Sequence, residues 1–256
     1  MPSATLAAFP TAPHEQWLLI GIVFVLAGAV KGVIGMGLPT LGMGLLGLTM
    51  APAQAAALLF LPSLLTNLWQ MLDGRALPIL TRRLWPLLAG ATLGTWFGAA
   101  WLPLSSAVGG AVLGVALSAY ALAGLLAWQP RVPAPAERWL GPVIGAATGL
   151  VTAVTGVFAI PAVPYLQALK LDKDVLVQAL GLAFTVSTLA LGASLAKLGA
   201  LDSHSAAASL LALLPALLGM RGGQWLRARL SPSAFRRCFF WGLLGLGLYL
   251  GGRYWW

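Results

Sequence analysis

Charged side chains are scarce in this sequence. Only 8% of the 256 residues are Asp, Glu, Lys or Arg, whereas about 25% is usual in soluble domains. So few charges could not cover the surface of a soluble domain of this size, which excludes an ordinary soluble enzyme and a disordered chain. A single cysteine excludes a disulfide framework. With only two histidines, both in polar flanks, the sequence also predicts no metal site, no cofactor and no catalytic residues.

Apolar residues make up most of the chain. The residue types AVILMFWYC account for 59% of it, in long runs rich in leucine and alanine rather than in the short alternating segments of a membrane β-barrel. At roughly 20 residues per crossing, this content could supply about seven or eight membrane helices. The sequence therefore predicts an all-α, polytopic membrane protein that is surrounded by a lipid bilayer.

The apolar segments form two similar series. The first membrane repeat, residues 17–128, follows an N-terminal flank at 1–16, and a proline-rich linker at 129–138 separates it from the second repeat, residues 139–256. The predicted segments are 17–35, 38–50, 53–72, 84–102 and 107–128, and then 139–156, 160–169, 175–196, 205–220 and 235–252. We interpret the two series as an internal duplication.

The second segment of each series is too short to cross a membrane. Segments 38–50 and 160–169 each follow a glycine-rich stretch, and neither crosses a hydrocarbon core of about 30 Å at 1.5 Å per residue. We predict that each leading pair of segments forms a re-entrant helical hairpin, which leaves the membrane on the side where it entered. Three crossings then remain in each half, and this odd number makes the two halves an inverted repeat.

The loop cations favour this hairpin topology. With plain crossings throughout, the Lys and Arg residues of the loops divide seven to seven between the two sides. With both hairpins re-entrant they divide twelve to two, with Lys197 and Arg253 alone on the second side, as the cytoplasmic bias of Lys and Arg requires. Both termini are then predicted to be extracytoplasmic. The bias of cations toward one side of the membrane thus explains the net charge of +9. Nucleic-acid binding is not needed to explain it, and we predict no nucleic-acid partner.

The hairpin tips carry the predicted binding site. We expect them near the membrane midplane, where helix N-termini with free N–H groups attract anions and where glycine lets an anion approach the backbone. The predicted residues at the tips are Gly35, Gly37, Pro39, Thr155, Gly156 and Pro161. The alternative is that the glycines only allow helices to pack closely.

Lys31 is the only charged side chain far from the ends of a predicted span, since Arg236 and Arg237 lie at the very start of segment 235–252. Placing an ammonium group in a bilayer costs several kcal/mol, and we predict that Lys31 pairs with an anionic substrate. The alternative is that its side chain extends to the membrane surface. No Asp or Glu lies within a predicted span, which argues against a carboxylate relay for protons.

Neutral polar residues inside the long segments are further candidates. They are Asn67, Gln70, Gln178, Thr185, Ser187 and Thr188. Of these, Asn67, Gln178, Thr185 and Ser187 are predicted to bind substrate together with Lys31 and the tips. The duplication aligns Ser63 with Thr185, and Thr66 with Thr188. The alternative is that these side chains hydrogen-bond between helices or to their own helix.

Three stretches together resemble a known family. They are the glycine-rich residues 28–39, their counterpart at 149–161, and the tail that begins with Leu-Gly-Met-Arg-Gly-Gly-Gln-Trp-Leu at residues 218–226. In these the chain resembles the TauE/SafE sulfite exporters, also called four-toluene-sulfonate uptake permeases. The resemblance implies a plasma-membrane transporter of small sulfur-containing or organic anions rather than an enzyme. Residues 157–159, Val-Phe-Ala, depart from the glycine run that is usual in the second half.

The predicted function is therefore secondary transport of a small anion by alternating access. An anion channel is the alternative. A membrane-embedded enzyme has less support, because no nucleophile–base pair or ligand set lies in the spans. The predicted partners are the anionic substrate and the bilayer, and a homo-oligomer is left open. The sequence gives neither the particular anion, nor the direction of transport, nor the coupling ion.

Overall fold

The computed structural model describes residues 14–102, 104, 109–126, 131–227, 229 and 231–253. Within these residues the chain forms ten α-helices and no strand, which confirms the all-α prediction. The helices are α1 (His14–Ile34), α2 (Leu38–Leu46), α3 (Pro52–Leu72), α4 (Leu77–Trp101), α5 (Gly109–Leu125), α6 (Ala134–Thr155), α7 (Ala162–Ala168), α8 (Lys173–Lys197), α9 (Ser203–Arg227) and α10 (Pro232–Gly252). Most of the predicted N-terminal flank and the first residues of the predicted linker lie outside the described residues.

Four helices of the described chain are long and apolar enough to cross a membrane. They are α1 from Gln16 onward, α3, α8 and α9. Helices α4, α6 and α10 have 25, 22 and 21 residues, and at 1.5 Å per residue each also reaches about 30 Å. The structure thus confirms a polytopic membrane protein.

The short helices are shorter than predicted, and two long helices are longer. Helix α2 has nine residues and α7 has seven, whereas α4 begins before residue 84 and α9 continues past residue 220. A helix can extend beyond its apolar stretch, because exposed arginine side chains reach water while the backbone hydrogen bonds continue. Helix α6 begins at Ala134, so the linker between the repeats is shorter than the predicted 129–138. Pro135 lies in its first turn, where no N–H is needed.

Glycines allow two helix pairs to pack with their backbones in contact. A Cβ built on Gly28 of α1 would lie 2.2 Å from the carbonyl oxygen of Ala216 in α9. A Cβ on Gly149 of α6 would lie 2.2 Å from the carbonyl oxygen of Ala91 in α4. No side chain fits in either place. The alternative role considered for the glycine-rich stretches, close helix packing, therefore holds at these two positions.

The contacts along each helix pair give its direction. In α1 and α9, Gly28 faces Ala216 and Gly32 faces Met220, so these helices are parallel. Helices α4 and α6 are also parallel, because the contacts advance from Gly90 with Pro142 to Gly98 with Leu150. In α3 and α8 they advance in opposite senses, from Phe60 with Gly192 to Met71 with Gly181. Helices α5 and α10 are antiparallel too, with Gly114 against Gly251 and Gly124 against Phe240.

The predicted repeat matches α1 with α6, α3 with α8, α4 with α9 and α5 with α10. Replacing each helix by its counterpart reproduces the same set of pairs. The α1–α9 pair becomes the α6–α4 pair, and α3–α8 and α5–α10 each become themselves. A two-fold axis along the helices would make a self-related pair parallel, whereas an axis across them makes it antiparallel. The observed antiparallel pairs therefore have the geometry that the predicted inverted repeat requires.

The chain returns after α2 to the end of the bundle where α1 begins. Ser209, early in α9, hydrogen-bonds the backbone of Leu58 and Leu61, early in α3. Later residues of both helices, Gln70 and Arg227 among them, line one cavity. Helices α1 and α3 are thus both parallel to α9 and begin at the same end. The α1–α2 pair accordingly forms a hairpin within the bundle.

The helix directions also separate the loop cations. We call the end where α3, α7 and α9 finish the arginine-rich end. It carries Arg75, Arg82, Arg83, Arg131, Arg138, Lys170, Lys173, Arg221, Arg227, Arg229, Arg236 and Arg237. Lys197 and Arg253 lie at the opposite end, where α8 and α10 finish.

Candidate functional site

A cavity of about 230 Å³ lies between α1, α3, α8 and α9 at the arginine-rich end. The last turns of α1, α3 and α9 and the first turn of α8 form its walls. It is lined by Lys31, Gly32, Gly35, Thr66, Trp69, Gln70, Asp73, Asp174, Val177, Met220, Gln224 and Arg227. We call it the lysine cavity, because Lys31 is the one charged lining residue that comes from inside a predicted span.

Lys31 is buried and bonded to a neutral group. Its side chain is 4% exposed, and its ammonium donates a hydrogen bond to Oδ1 of Asn67. Asn67 is completely buried, and its Nδ2 donates to Thr188 Oγ1 at 3.4 Å. Thr188 in turn donates to the Phe184 carbonyl of its own helix at 2.6 Å. Among the described residues, the lysine charge thus has an amide dipole as its hydrogen-bond partner and no hydrogen bond to a carboxylate.

The break after α1 places Lys31 at this cavity. Gly35 has φ 82° and Gly37 has φ 111°, a left-handed conformation that glycine adopts without steric cost. Gly37 is the N-cap of α2. Gly28 and Gly32 bring α9 against α1, and the lysine lies one helical turn before the break.

A second, much smaller cavity of about 10 Å³ lies on the other side of the Asn67–Thr188 hydrogen bond. It is lined by Pro39, Met43, Ala56, Leu59, Phe60, Ser63, Gly156, Phe158, Thr188 and Leu191. We call it the serine cavity. The break after α6, at Gly156 with φ 70°, therefore lies at a different cavity from the break after α1.

The structure brings some of the predicted site residues together and separates others. Lys31 and Gly35 line the lysine cavity, where Lys31 hydrogen-bonds Asn67, and Pro39 and Gly156 line the serine cavity. Gly37 packs near Val30 and Phe239, and Pro161 is the N-cap of α7. One residue of each predicted tip thus lines the serine cavity, whereas Gly35 and Lys31 lie at the separate lysine cavity.

Three of the four remaining predicted residues have hydrogen-bond partners in the structure. Thr155 donates to the Val151 carbonyl and accepts from the Val157 amide. Thr185 donates to the Gly181 carbonyl, and Gln178 bonds the backbone at Met71 and Ala76. Ser187 is buried in α8. None of these four is among the residues that line the lysine cavity or the serine cavity.

The first predicted tip does not lie at the centre of the bundle. Gly35 lies near Val177, only four residues after the start of α8, and so nearer to the arginine-rich end than to the centre of the bundle. The reason is the length of α1, because 21 residues of helix extend about 30 Å before the break.

Sequence reasoning did not find the residues around the opening of the lysine cavity. Trp69, Asp73, Asp174, Gln224 and Arg227 lie there. Thr66, Gln70 and Asp73, at the end of α3, are spaced as residues on one helix face are. This spacing is the sequence pattern from which a polar wall at this place could have been predicted.

Comparison with known proteins gives one match. A sequence model of a protein family described as Sulfite exporter TauE/SafE matches residues 20–250. No curated protein and no solved structure matches the chain.

Proposed function

Because the chain belongs to the sulfite exporter TauE/SafE family, we propose that it is a secondary transporter of small sulfur-containing or organic anions in the plasma membrane. Its apolar helices already make it a multi-pass membrane protein. The observation that carries the proposal is the buried ammonium of Lys31, which faces an open cavity and has an amide as its hydrogen-bond partner.

The energetics of Lys31 favour an anionic ligand. A charge inside a membrane protein costs several kcal/mol unless another charge compensates it. The carbonyl dipole of Asn67 compensates only part of that cost. Asp73 and Asp174 line the same cavity, but neither forms an ion pair with Lys31 in the described structure. A substrate anion that enters the lysine cavity would place an opposite charge in contact with the ammonium and form a charge-assisted hydrogen bond. At ~30 Å³ for each water molecule, a cavity of about 230 Å³ has room for a small anion and several waters.

The two cavities fit one stage of alternating access. The lysine cavity is open at the arginine-rich end, and the serine cavity beyond the Asn67–Thr188 bond is too small for an anion. By the bias of Lys and Arg, we assign the arginine-rich end to the cytoplasm and both termini to the outside. The structure then corresponds to an inward-facing state. Rocking of the inverted halves would close the lysine cavity and open the other side.

Binding by purified variants tests the role of Lys31. Lys31→Met removes the charge, and we expect the dissociation constant for sulfite or for another accepted anion to rise about 10- to 100-fold, the value of a hydrogen bond to a charged group. Lys197→Met is the matched control, because Lys197 is exposed at the opposite end. Thermal shift against sulfite, sulfate, sulfoacetate, taurine and carboxylates measures binding, because a ligand stabilises the folded state.

Transport in proteoliposomes separates a carrier from a channel. A carrier gives saturable flux and counterflow of labelled anion, and Lys31→Met should lose both. Flux that does not saturate and shows no counterflow would favour the channel alternative. Unchanged affinity of Lys31→Met for every anion that the wild type binds would contradict the assignment of Lys31.

A further inference from the structure

Ser63 is a buried hydroxyl without a partner. Its side chain is 2% exposed, and its Oγ makes no hydrogen bond within the described residues. Other hydroxyls on these helices bond back to their own backbone. Thr66 donates to the Pro62 carbonyl at 2.6 Å, and Thr185, the repeat counterpart of Ser63, donates to Gly181 at 2.7 Å. Since buried polar groups are almost always satisfied, an unpaired one requires an explanation.

Ser63 is the free hydrogen-bond donor in the described wall of the serine cavity. Pro39, in the first turn of α2, also lines the cavity, but a proline has no N–H to donate. The N–H of Gly156 donates to the Thr152 carbonyl, and the Thr188 hydroxyl donates to the Phe184 carbonyl. The rest of the wall is apolar, so Ser63 is the group that could bind an entering polar ligand.

A chain of hydrogen bonds joins the two cavities. Lys31 at the lysine cavity donates to Asn67, and Asn67 donates to Thr188 at the serine cavity. The serine cavity therefore lies directly beyond the group that holds Lys31, in the direction of the opposite end of the bundle.

We propose that the Ser63 hydroxyl forms a second binding position for an oxygen atom of the transported oxyanion. This inference rests on the proposed function. In the present conformation the position is closed, because about 10 Å³ is at most the space of one water molecule. Phe60 of the first half and Phe158 of the second half line it. The position opens when Phe60 and Phe158 separate as the halves rock, and Ser63 then donates to the anion that leaves Lys31.

Anion exchange by Ser63→Ala tests this position. Wild type and variant are reconstituted in proteoliposomes, and the exchange of radiolabelled sulfite is measured with saturating sulfite on both sides. We expect Ser63→Ala to exchange sulfite about tenfold more slowly, as the loss of one hydrogen bond to a charged group implies. Its binding of sulfite at the lysine cavity, measured by thermal shift, should stay within about twofold of wild type. Ser194→Ala is the matched control, because Ser194 is a buried hydroxyl of α8 that donates to its own helix at Ala190.

The stability of the variant gives a second measurement. An unpaired hydroxyl contributes nothing to the resting state, so Ser63→Ala should melt at the wild-type temperature or above. Ser63→Cys in a Cys238→Ser background keeps the side-chain shape with a slightly larger atom and a weaker donor, and should also slow exchange. Exchange by both Ser63 variants at the rate of Ser194→Ala would overturn the second position while leaving the proposed function intact. A wild-type protein that neither binds nor exchanges any of the tested anions would overturn both.

Discussion

Asn67 determines how much of the Lys31 charge is left for a ligand. The side chains come from α1 and α3 and are joined by one hydrogen bond. An amide orients the ammonium without neutralising it. A carboxylate at the same place would form a buried ion pair and leave little attraction for an external anion. In the proposed mechanism, an amide rather than an acid at residue 67 would keep the Lys31 charge available to substrate.

Substitutions of Asn67 should separate stability from binding. We expect Asn67→Asp to keep or raise the melting temperature, because it supplies a counter-charge, and to weaken anion binding at least about tenfold, because it competes with the ligand. Asn67→Leu leaves the ammonium without an acceptor and should lower the free energy of unfolding by about 3 kcal/mol. Melting in detergent with and without sulfite measures both effects. Tighter anion binding by Asn67→Asp would show that Lys31 does not attract the anion by charge.

Individual site residues were predictable where the residue type alone was unusual. A lysine inside an apolar run, such as Lys31, is costly enough to indicate function, and the structure places it at a cavity. Threonines carry no such signal. The hydroxyls of Thr155 and Thr185 are satisfied by their own helices, and a sequence does not distinguish such a hydroxyl from one that faces a cavity.

Among the helices, the glycine contacts between α1 and α9 fix how closely two spans approach. A Cβ on Gly223 would lie 2.1 Å from the carbonyl oxygen of Ala29, a backbone atom that moves only with its helix. A Cβ on the neighbouring Gly222 would meet nothing within 4 Å. Two adjacent glycines thus have opposite tolerance for a methyl group.

Alanine substitution of these two glycines should therefore give opposite results. We expect Gly223→Ala to destabilise the protein by about 3 kcal/mol through overpacking. Gly222→Ala should leave stability unchanged or raise it by up to ~1 kcal/mol, because alanine is the better helix former. Thermal unfolding of both variants in the same detergent measures the difference. Equal melting temperatures would mean that α1 and α9 do not pack as described.

The existence of the elements was predictable, and their ends and partners were less so. Apolar runs identified the segments, and their lengths identified α2 and α7 as too short to cross. The start of α4 at Leu77 was not predictable from hydropathy, because exposed arginines continue a helix as well as they end one. Helix α1 packs against α9 rather than against α3. This packing depends on contacts between residues almost 190 positions apart, such as Gly28 and Ala216, and no local sequence pattern encodes such contacts.

At the scale of the whole molecule, the loop cations are distributed unequally between the two ends of the bundle. Helix directions place twelve loop cations at the arginine-rich end and two at the other. The lysine cavity opens at the arginine-rich end, and Asp73, Asp174 and Arg227 line it there. The excess of cations at that end, from which we infer the orientation in the membrane, would favour the approach of anions to this side of the protein.

Two loop residues distinguish the hairpin topology from plain crossings. If every leading pair crossed the membrane as one span, Arg75 and Lys197 would lie on the same side. In the structure they lie at opposite ends, because α3 ends beside the start of α8. Both side chains are exposed, and Cys238 is the only cysteine in the sequence. In a Cys238→Ser background, a membrane-impermeant maleimide should label Lys197→Cys in intact cells and Arg75→Cys only after permeabilisation. Labelling of both in intact cells, or of neither, would place the two loops on one side of the membrane, and the inverted halves that alternating access requires would no longer follow.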